Sequence, residues 1–258
     1  MIKKQPALFI AHGSPMNAIM DNEYTKRLNK LGEELGKPKA IMVISAHWYI
    51  NDTFITAQDS PKEIYDFYGF PEELYKVKYS TSGADKYIKM AFEELKNYNV
   101  KLSNTWGLDH GAWSVLRHIF PKADVPVFQL SLNSLKNEEY HYNLGKKLVK
   151  LREQGILVLG SGNIVHNLRQ MKYNENDEPY KWAVDFDKFI ADAIINDDHD
   201  KLINYKNYGQ SALLSVPTDE HFLPLLYVAA LKEEKDEVEF IFEGIENGSL
   251  SMRSIKIG

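Results

Sequence analysis

His12, His47 and His221 each stand where an apolar run gives way to a loop or a helix start. His12 closes Ala7-Leu8-Phe9-Ile10-Ala11-His12 and precedes Gly13-Ser14-Pro15, a loop-forming triplet. His47 closes Ile41-Met42-Val43-Ile44-Ser45-Ala46-His47, with Trp48 next. His221 lies in Pro217-Thr218-Asp219-Glu220-His221-Phe222, beside a helix start marked by Pro224. A neutral imidazole is the commonest protein metal ligand. In open α/β sheets, ligands bind beyond the carboxyl ends of the strands. Histidines leaving neighbouring strand ends can therefore meet at one ion, although His12 or His47 taken alone is more often a hydrogen-bonded structural residue than a ligand. Glu220 is adjacent to His221, and adjacent helical residues point in different directions, so one of the two should face such a site.

Two further histidines have similar surroundings. His166 follows Gly160-Ser161-Gly162-Asn163, where glycines permit close backbone approach. That run matches neither the P-loop nor the dinucleotide fingerprint, so a tight strand-to-helix turn is its simplest reading. His110 lies in Trp106-Gly107-Leu108-Asp109-His110-Gly111, where Asp109 either orients it or caps the following helix. His118, His141 and His199 sit in helical or charged contexts and read as surface or structural residues.

The elements that must hold these residues follow from the apolar pattern. Short apolar runs bounded by turn signals predict strands at 7–11, 40–46, 53–57, 77–80, 125–131, 156–159, 237–242 and 250–257. Helices are predicted near 22–35, 83–96, 112–120, 138–154, 182–194 and 221–232. Strands alternating with helices imply a three-layer α/β/α sandwich with a mostly parallel central sheet and some antiparallel edge strands. No repeat or linker divides residues 1–258, which read as one catalytic domain. Gly69-Phe70-Pro71-Glu72-Glu73 predicts an inserted loop, and Tyr65, Phe67, Tyr68, Phe70 and Tyr75 around it make either a loop packed on the body or an aromatic wall over a pocket.

Composition excludes several classes. The net charge of −5 leaves no basic footprint for nucleic acid. With no cysteine, disulfides, thiolate metal sites and a cysteine nucleophile are all ruled out. The start, Met1-Ile2-Lys3-Lys4-Gln5-Pro6, has no signal-peptide hydrophobic region, and no apolar stretch reaches the roughly 20 residues of a membrane span. A cytoplasmic protein is the expectation, with no membrane partner and with its oligomeric state left open.

Taken together, Ala11-His12-Gly13-Ser14-Pro15, Ser45-Ala46-His47-Trp48, Gly107-Leu108-Asp109-His110-Gly111, Gly160-Ser161-Gly162-Asn163 with His166-Asn167, Glu220-His221-Phe222 with Pro224-Leu225, and Gly248-Ser249-Leu250-Ser251-Met252-Arg253-Ser254 resemble the class III extradiol ring-cleavage dioxygenases, in particular their 4,5-DOPA dioxygenase branch. The blocks occur in order over residues 7–254. The resemblance implies a metal-dependent enzyme that opens the ring of a catechol with dioxygen. It implies that His12, His47 and His221 bind the metal, and that His166 is the base, or a fourth ligand when zinc occupies the site. His110 would be an acid or hydrogen-bond donor just outside the ligand set. Fe(II) is the metal expected for activity, and Zn(II) is expected to fit the same site without supporting redox chemistry. Three histidines depart from the common two-histidine, one-carboxylate set, which keeps Glu220 as the competing third ligand. Three protein ligands on a six-coordinate ion would leave room for a bidentate diol and dioxygen together, with Trp48 and the Tyr65–Tyr75 cluster forming an apolar pocket for the ring. Arg253 and Arg169 are candidate partners for a substrate carboxylate. The alternatives are a zinc-dependent hydrolase, with His166 activating a metal-bound water, and a non-enzymatic interaction protein on the same fold.

Overall fold

The central strands are mostly apolar or small, and successive side chains point to opposite faces. Ala7 and Phe9 pack on one side with Met42, Ile44 and Val158; Leu8 and Ile10 pack on the other with Ile41, Val43 and Leu159. A sheet buried on both faces needs a helical layer on each, and this one has both. The computed structural model describes residues 4–173 and 178–258. Its strands are β1 (Ala7–Ala11), β2 (Ala40–Ile50), β3 (Phe54–Thr56), β4 (Lys101–Ser103), β5 (Val127–Asn133), β6 (Ile156–Gly162), β7 (Val238–Phe242), β8 (Ile245–Glu246), β9 (Leu250–Ser251) and β10 (Ser254–Ile257). Its helices are α1 (Glu23–Leu35), α2 (Asp85–Glu94), α3 (His110–Ile119), α4 (Glu138–Lys146), α5 (Val149–Glu153), α6 (Lys181–Ile195), α7 (His199–Ile203), α8 (Gln210–Ser215) and α9 (Leu223–Ala229).

Eight strands form one sheet in the order β4-β3-β5-β2-β6-β1-β10-β7, and β8 pairs with β9 separately. β5, β2, β6 and β1 are mutually parallel, whereas β10 is antiparallel to both β1 and β7. The expected parallel centre and antiparallel edge are both present. One core takes Leu28 and Leu31 of α1 and Trp113 and Leu116 of α3. The other takes Phe186 and Ile190 of α6 and Leu225 and Leu226 of α9, with contributions from α2, α4, α5, α7 and α8. Among the described residues no helix is long and apolar enough to cross a membrane.

Two local departures from the sequence reading have clear causes. Residues 77–80, predicted as a strand, follow a short 3₁₀ turn and join no sheet. The Tyr79 N–H is satisfied by the Glu63 carboxylate rather than by a neighbouring strand. β2 runs four residues past its predicted end. Its pairing with β5 slips between Ile44 and Tyr49, so Ile44 opposes Leu130 while Tyr49 opposes Leu132. His47 lies in that irregular stretch, and its side chain, like that of Ser45, lies against Gly111 in the first turn of α3.

Candidate metal centre

β2, β6 and β1 lie side by side, so their carboxyl ends open on one place. His12 follows β1 directly and its N–H donates to the Gly162 carbonyl at the end of β6 (3.2 Å). His47 comes from the irregular end of β2. His221 precedes α9, and its carbonyl accepts from the Asn163 N–H just after β6 (2.9 Å). The three rings gather with centroids 4.9–5.2 Å apart. His12 and His221 are buried, and His47 is half-buried.

Neighbouring groups settle which nitrogen each ring presents. The Ser161 hydroxyl donates to the Gly111 carbonyl (2.6 Å), so toward His12 Nδ1 (3.0 Å) it can only accept. His12 therefore carries its proton on Nδ1 and leaves Nε2 bare. His47 Nδ1 lies 3.1 Å from Asp66 Oδ2 and His221 Nδ1 lies 3.1 Å from Glu220 Oε1. Ionised carboxylates only accept, so these rings too hold Nδ1–H and present Nε2. His12 Nε2 and His47 Nε2 face each other at 3.2 Å, and the buried Nε2 of His221 has no hydrogen-bond partner among the described residues. Bare lone pairs at such a distance repel, and a buried unpaired nitrogen is costly. A cation shared by three donor atoms, which lie within 4.8 Å of one another, removes both penalties. The donor set of three neutral imidazoles suits zinc or iron.

Burial, reinforced by the neighbouring imidazoles, holds His12 and His221 well below the ordinary histidine range. Burial acts the same way on His47, but the hydrogen bond to Asp66 and the charges of Asp109, Asp66 and Glu220 together outweigh it and raise its pKa. Burial also opposes ionisation of Asp66, yet hydrogen bonds from His110 and His47 hold its carboxyl far below the usual range. Glu220 Oε1 also accepts from the Thr218 hydroxyl (2.9 Å), so this carboxylate sits behind His221, on its Nδ1 side.

His110 is the first residue of α3 and its ring lies 3.9 Å from that of His47. Asp66 Oδ1 accepts from both its backbone N–H (3.0 Å) and its Nδ1 (2.9 Å). Asp109 takes the other of its two expected parts. It caps α3 through the Ala112 N–H and is held by Ser45 (2.6 Å) and Gln129 (2.7 Å). His166 stacks on His221 with centroids 3.5 Å apart and rings 8° from parallel. Its backbone donates to the Ser215 carbonyl (2.8 Å), and burial lowers its pKa to about 4. His47, Asp66 and His110 form a second group of donor atoms within 4.8 Å of one another, and His166, Glu220 and His221 a third.

The Gly160-Ser161-Gly162 run admits protein backbone. A Cβ on Gly162 would overlap the carbonyl oxygen of His221. Gly162→Ala should therefore displace His221, costing about 1–3 kcal/mol by overpacking and lowering bound metal. Urea unfolding and elemental analysis of the purified variant check this; wild-type metal content would show that His221 tolerates the shift.

The aromatic segment packs on the body through Tyr65 and Phe67, which lie 5.6 and 6.1 Å from Trp113, and the edge of Phe67 meets His110 at 5.4 Å. Tyr68 is exposed. Trp48 is buried, stacked on Trp106. Arg253 is held by Asp187 and Glu243, while Arg169 is exposed. His118 bonds the Asn17 carbonyl, His141 bonds Tyr227, and His199 lies beside Asp197, all away from the centre. Sequence reasoning passed over Asp66, Ser161, Ser45 and Gln129. Ser45 and Ser161 had a usable signal, since both are polar residues inside otherwise apolar strand runs next to a candidate histidine.

Residues 6–252 match the family described as the catalytic LigB subunit of aromatic ring-opening dioxygenase. A protein of Escherichia coli (strain K12) named 4,5-DOPA dioxygenase extradiol is 42% identical over 99% of this chain and 95% of its own length. A protein of the same name from Beta vulgaris is 36% identical over 96% of this chain and 94% of its own. A crystal structure of an uncharacterized protein from Escherichia coli K12 superposes with a TM-score of 0.87 at 40% identity, covering 98% of this chain and all of that one.

Proposed function

Because the chain belongs to the LigB family of aromatic ring-opening dioxygenases, we propose that it is an extradiol dioxygenase whose substrate is a catechol of the DOPA type and whose Fe(II) is held by His12, His47 and His221. One observation carries the ligand assignment. Three imidazoles are each tied down at Nδ1, and their Nε2 atoms converge, two of them 3.2 Å apart. Bound there, Fe(II) supplies the electron transfer between a diol and dioxygen that Zn(II), with no accessible redox state, does not.

The chain's own residues do the rest. His166 is neutral at pH 7 and is the base for a catechol hydroxyl proton. Its ring is parallel to that of His221, so the in-plane lone pairs of the two run side by side rather than toward one ion, which favours the base over the fourth-ligand role. His110, with Nδ1–H given to Asp66, keeps Nε2 as its exchangeable position. That atom accepts a hydrogen bond in the neutral ring and donates one once protonated, with Asp66 stabilising the protonated form. Phe67 sets an apolar edge against His110, suited to a planar ring.

The test is metal substitution. Protein reconstituted anaerobically with Fe(II) should take up one dioxygen per catechol and give a ring-opened product carrying an aldehyde and a carboxylate. Protein loaded only with Zn(II) should not, and a monophenol should fail with either. An oxygen electrode and visible absorbance read the result. An inert Fe(II) form beside a zinc form that hydrolyses an ester or amide would replace this reading with a hydrolase.

A further inference from the structure

Asp66 lies outside the three-histidine set, yet its carboxylate bonds two of the imidazoles of the centre. Its Oδ2 faces His47 Nδ1 at 3.1 Å, and its Oδ1 takes both His110 Nδ1 (2.9 Å) and the His110 N–H at the start of α3 (3.0 Å). It reaches them from the aromatic segment. That segment is tied to the body on its amino-terminal side by Ile64 N–H to Leu108 O (2.6 Å) and by Trp113 Nε1–H to Ile64 O (3.0 Å). Tyr65 adds a bond to the Val77 carbonyl (2.6 Å), and Phe67 lies against His110. Asp66 is thus a polar link between the segment and the imidazoles, and it joins His47 to His110.

We propose that Asp66 is a positioning residue that locks His47 in its Nε2-presenting tautomer, fixes His110 beside it, and thereby couples metal affinity to the seating of the aromatic segment. The inference rests on the proposed metal reading. A metal-bound imidazole whose other N–H meets a carboxylate is a better ligand, and losing that partner typically weakens metal binding about 10–100-fold. The coupling is reciprocal: whatever seating the segment contributes to metal affinity, the metal returns to the seating of the segment. An ion at His47 Nε2 polarises Nδ1–H and tightens its bond to Asp66, so filling the site should hold residues 64–70 down. A carboxylate that only anchored the loop would give neither effect.

The experiment uses Zn(II) competition with a chromophoric chelator, together with limited chymotrypsin digestion with and without Zn(II). The full-length chain is compared with Asp66→Asn, Asp66→Glu and Glu63→Gln. Glu63 anchors the same segment through the Tyr79 N–H and touches no imidazole. Asp66→Asn should weaken Zn(II) binding about 10–100-fold, Asp66→Glu should recover part of the loss, and Glu63→Gln should leave affinity near wild type. Zn(II) should protect the bonds after Tyr65, Phe67 and Tyr68 in the wild type and in Glu63→Gln, and not in Asp66→Asn. Wild-type affinity with wild-type protection in Asp66→Asn would overturn the proposal while leaving the three-histidine site intact. If Asp66→Asn does not fold, the proposal stands or falls on Asp66→Glu, whose longer arm should still measurably weaken Zn(II) binding and protection. A wild-type protein that binds no Zn(II) through His12, His47 and His221 would instead fail the metal reading itself.

Discussion

His12→Ala and His221→Ala should each purify nearly free of metal and show no ring cleavage, while Glu220→Gln should keep its metal. Each imidazole is one of three donors, and its loss leaves two neutral nitrogens to compete with water. The affinity loss should exceed the 10–100-fold typical of removing an outer partner, and with no metal retained there is no turnover. Glu220 differs because its carboxylate already receives Nδ1–H from His221 and the Thr218 hydroxyl. The amide oxygen of glutamine can still accept from His221, so the Nε2 presentation survives. The fold should tolerate the alanines, since no hydrogen bond among the described residues reaches His221 Nε2, and the Ser161 hydroxyl that accepts from His12 still donates to the Gly111 carbonyl. Elemental analysis beside far-ultraviolet circular dichroism decides the matter. Metal retained in His221→Ala and lost in Glu220→Gln would make Glu220 the third ligand.

The parts of this molecule that were legible in its sequence are those fixed by burial. Strands β1, β2, β5 and β6 are mostly apolar on both faces, so their existence is written in the hydrophobic runs, although β2, β5 and β6 run past their predicted ends. A histidine just beyond such a run must emerge at the end of the sheet, which is why His12 could be located. His47 was located less well, because β2 continues to Ile50 and its pairing with β5 slips between Ile44 and Tyr49. No run length encodes that slip. Asp66 was invisible for a different reason. It sits in an irregular segment whose position depends on Ile64, Trp113 and Phe67 docking on α3, and it meets His110 across 44 residues of chain. Asp109, which the sequence offered either as a partner for His110 or as a helix cap, is the cap, because the residue before a helix is held by the helix's own amides, here that of Ala112. The short elements α7, α8 and β4 escaped because they hold too few residues to show a period.

The loss of His166 should separate chemistry from metal binding. Three features point that way. The ring stacks flat on His221, so it adds no lone pair directed at the point where the His12, His47 and His221 nitrogens meet. Burial, with a smaller contribution from His47 and His110, holds its pKa near 4, so at neutral pH it is an unprotonated acceptor. Its backbone, not its ring, fixes its place, through the bond to the Ser215 carbonyl and the bridge to Leu250 of β9. His166→Ala should therefore fold, keep most of its Fe(II), and still bind a catechol, while kcat falls about 10²–10⁴-fold, the usual cost of removing a general base. The drop should appear in kcat and kcat/KM together, since the lost group acts in the transition state rather than in holding the ground-state diol. Single-turnover oxygen uptake on protein of measured iron content gives the comparison. Loss of iron along with activity would make His166 a fourth ligand, and unchanged turnover would transfer the proton acceptance to His110, the neighbouring imidazole already paired with a carboxylate.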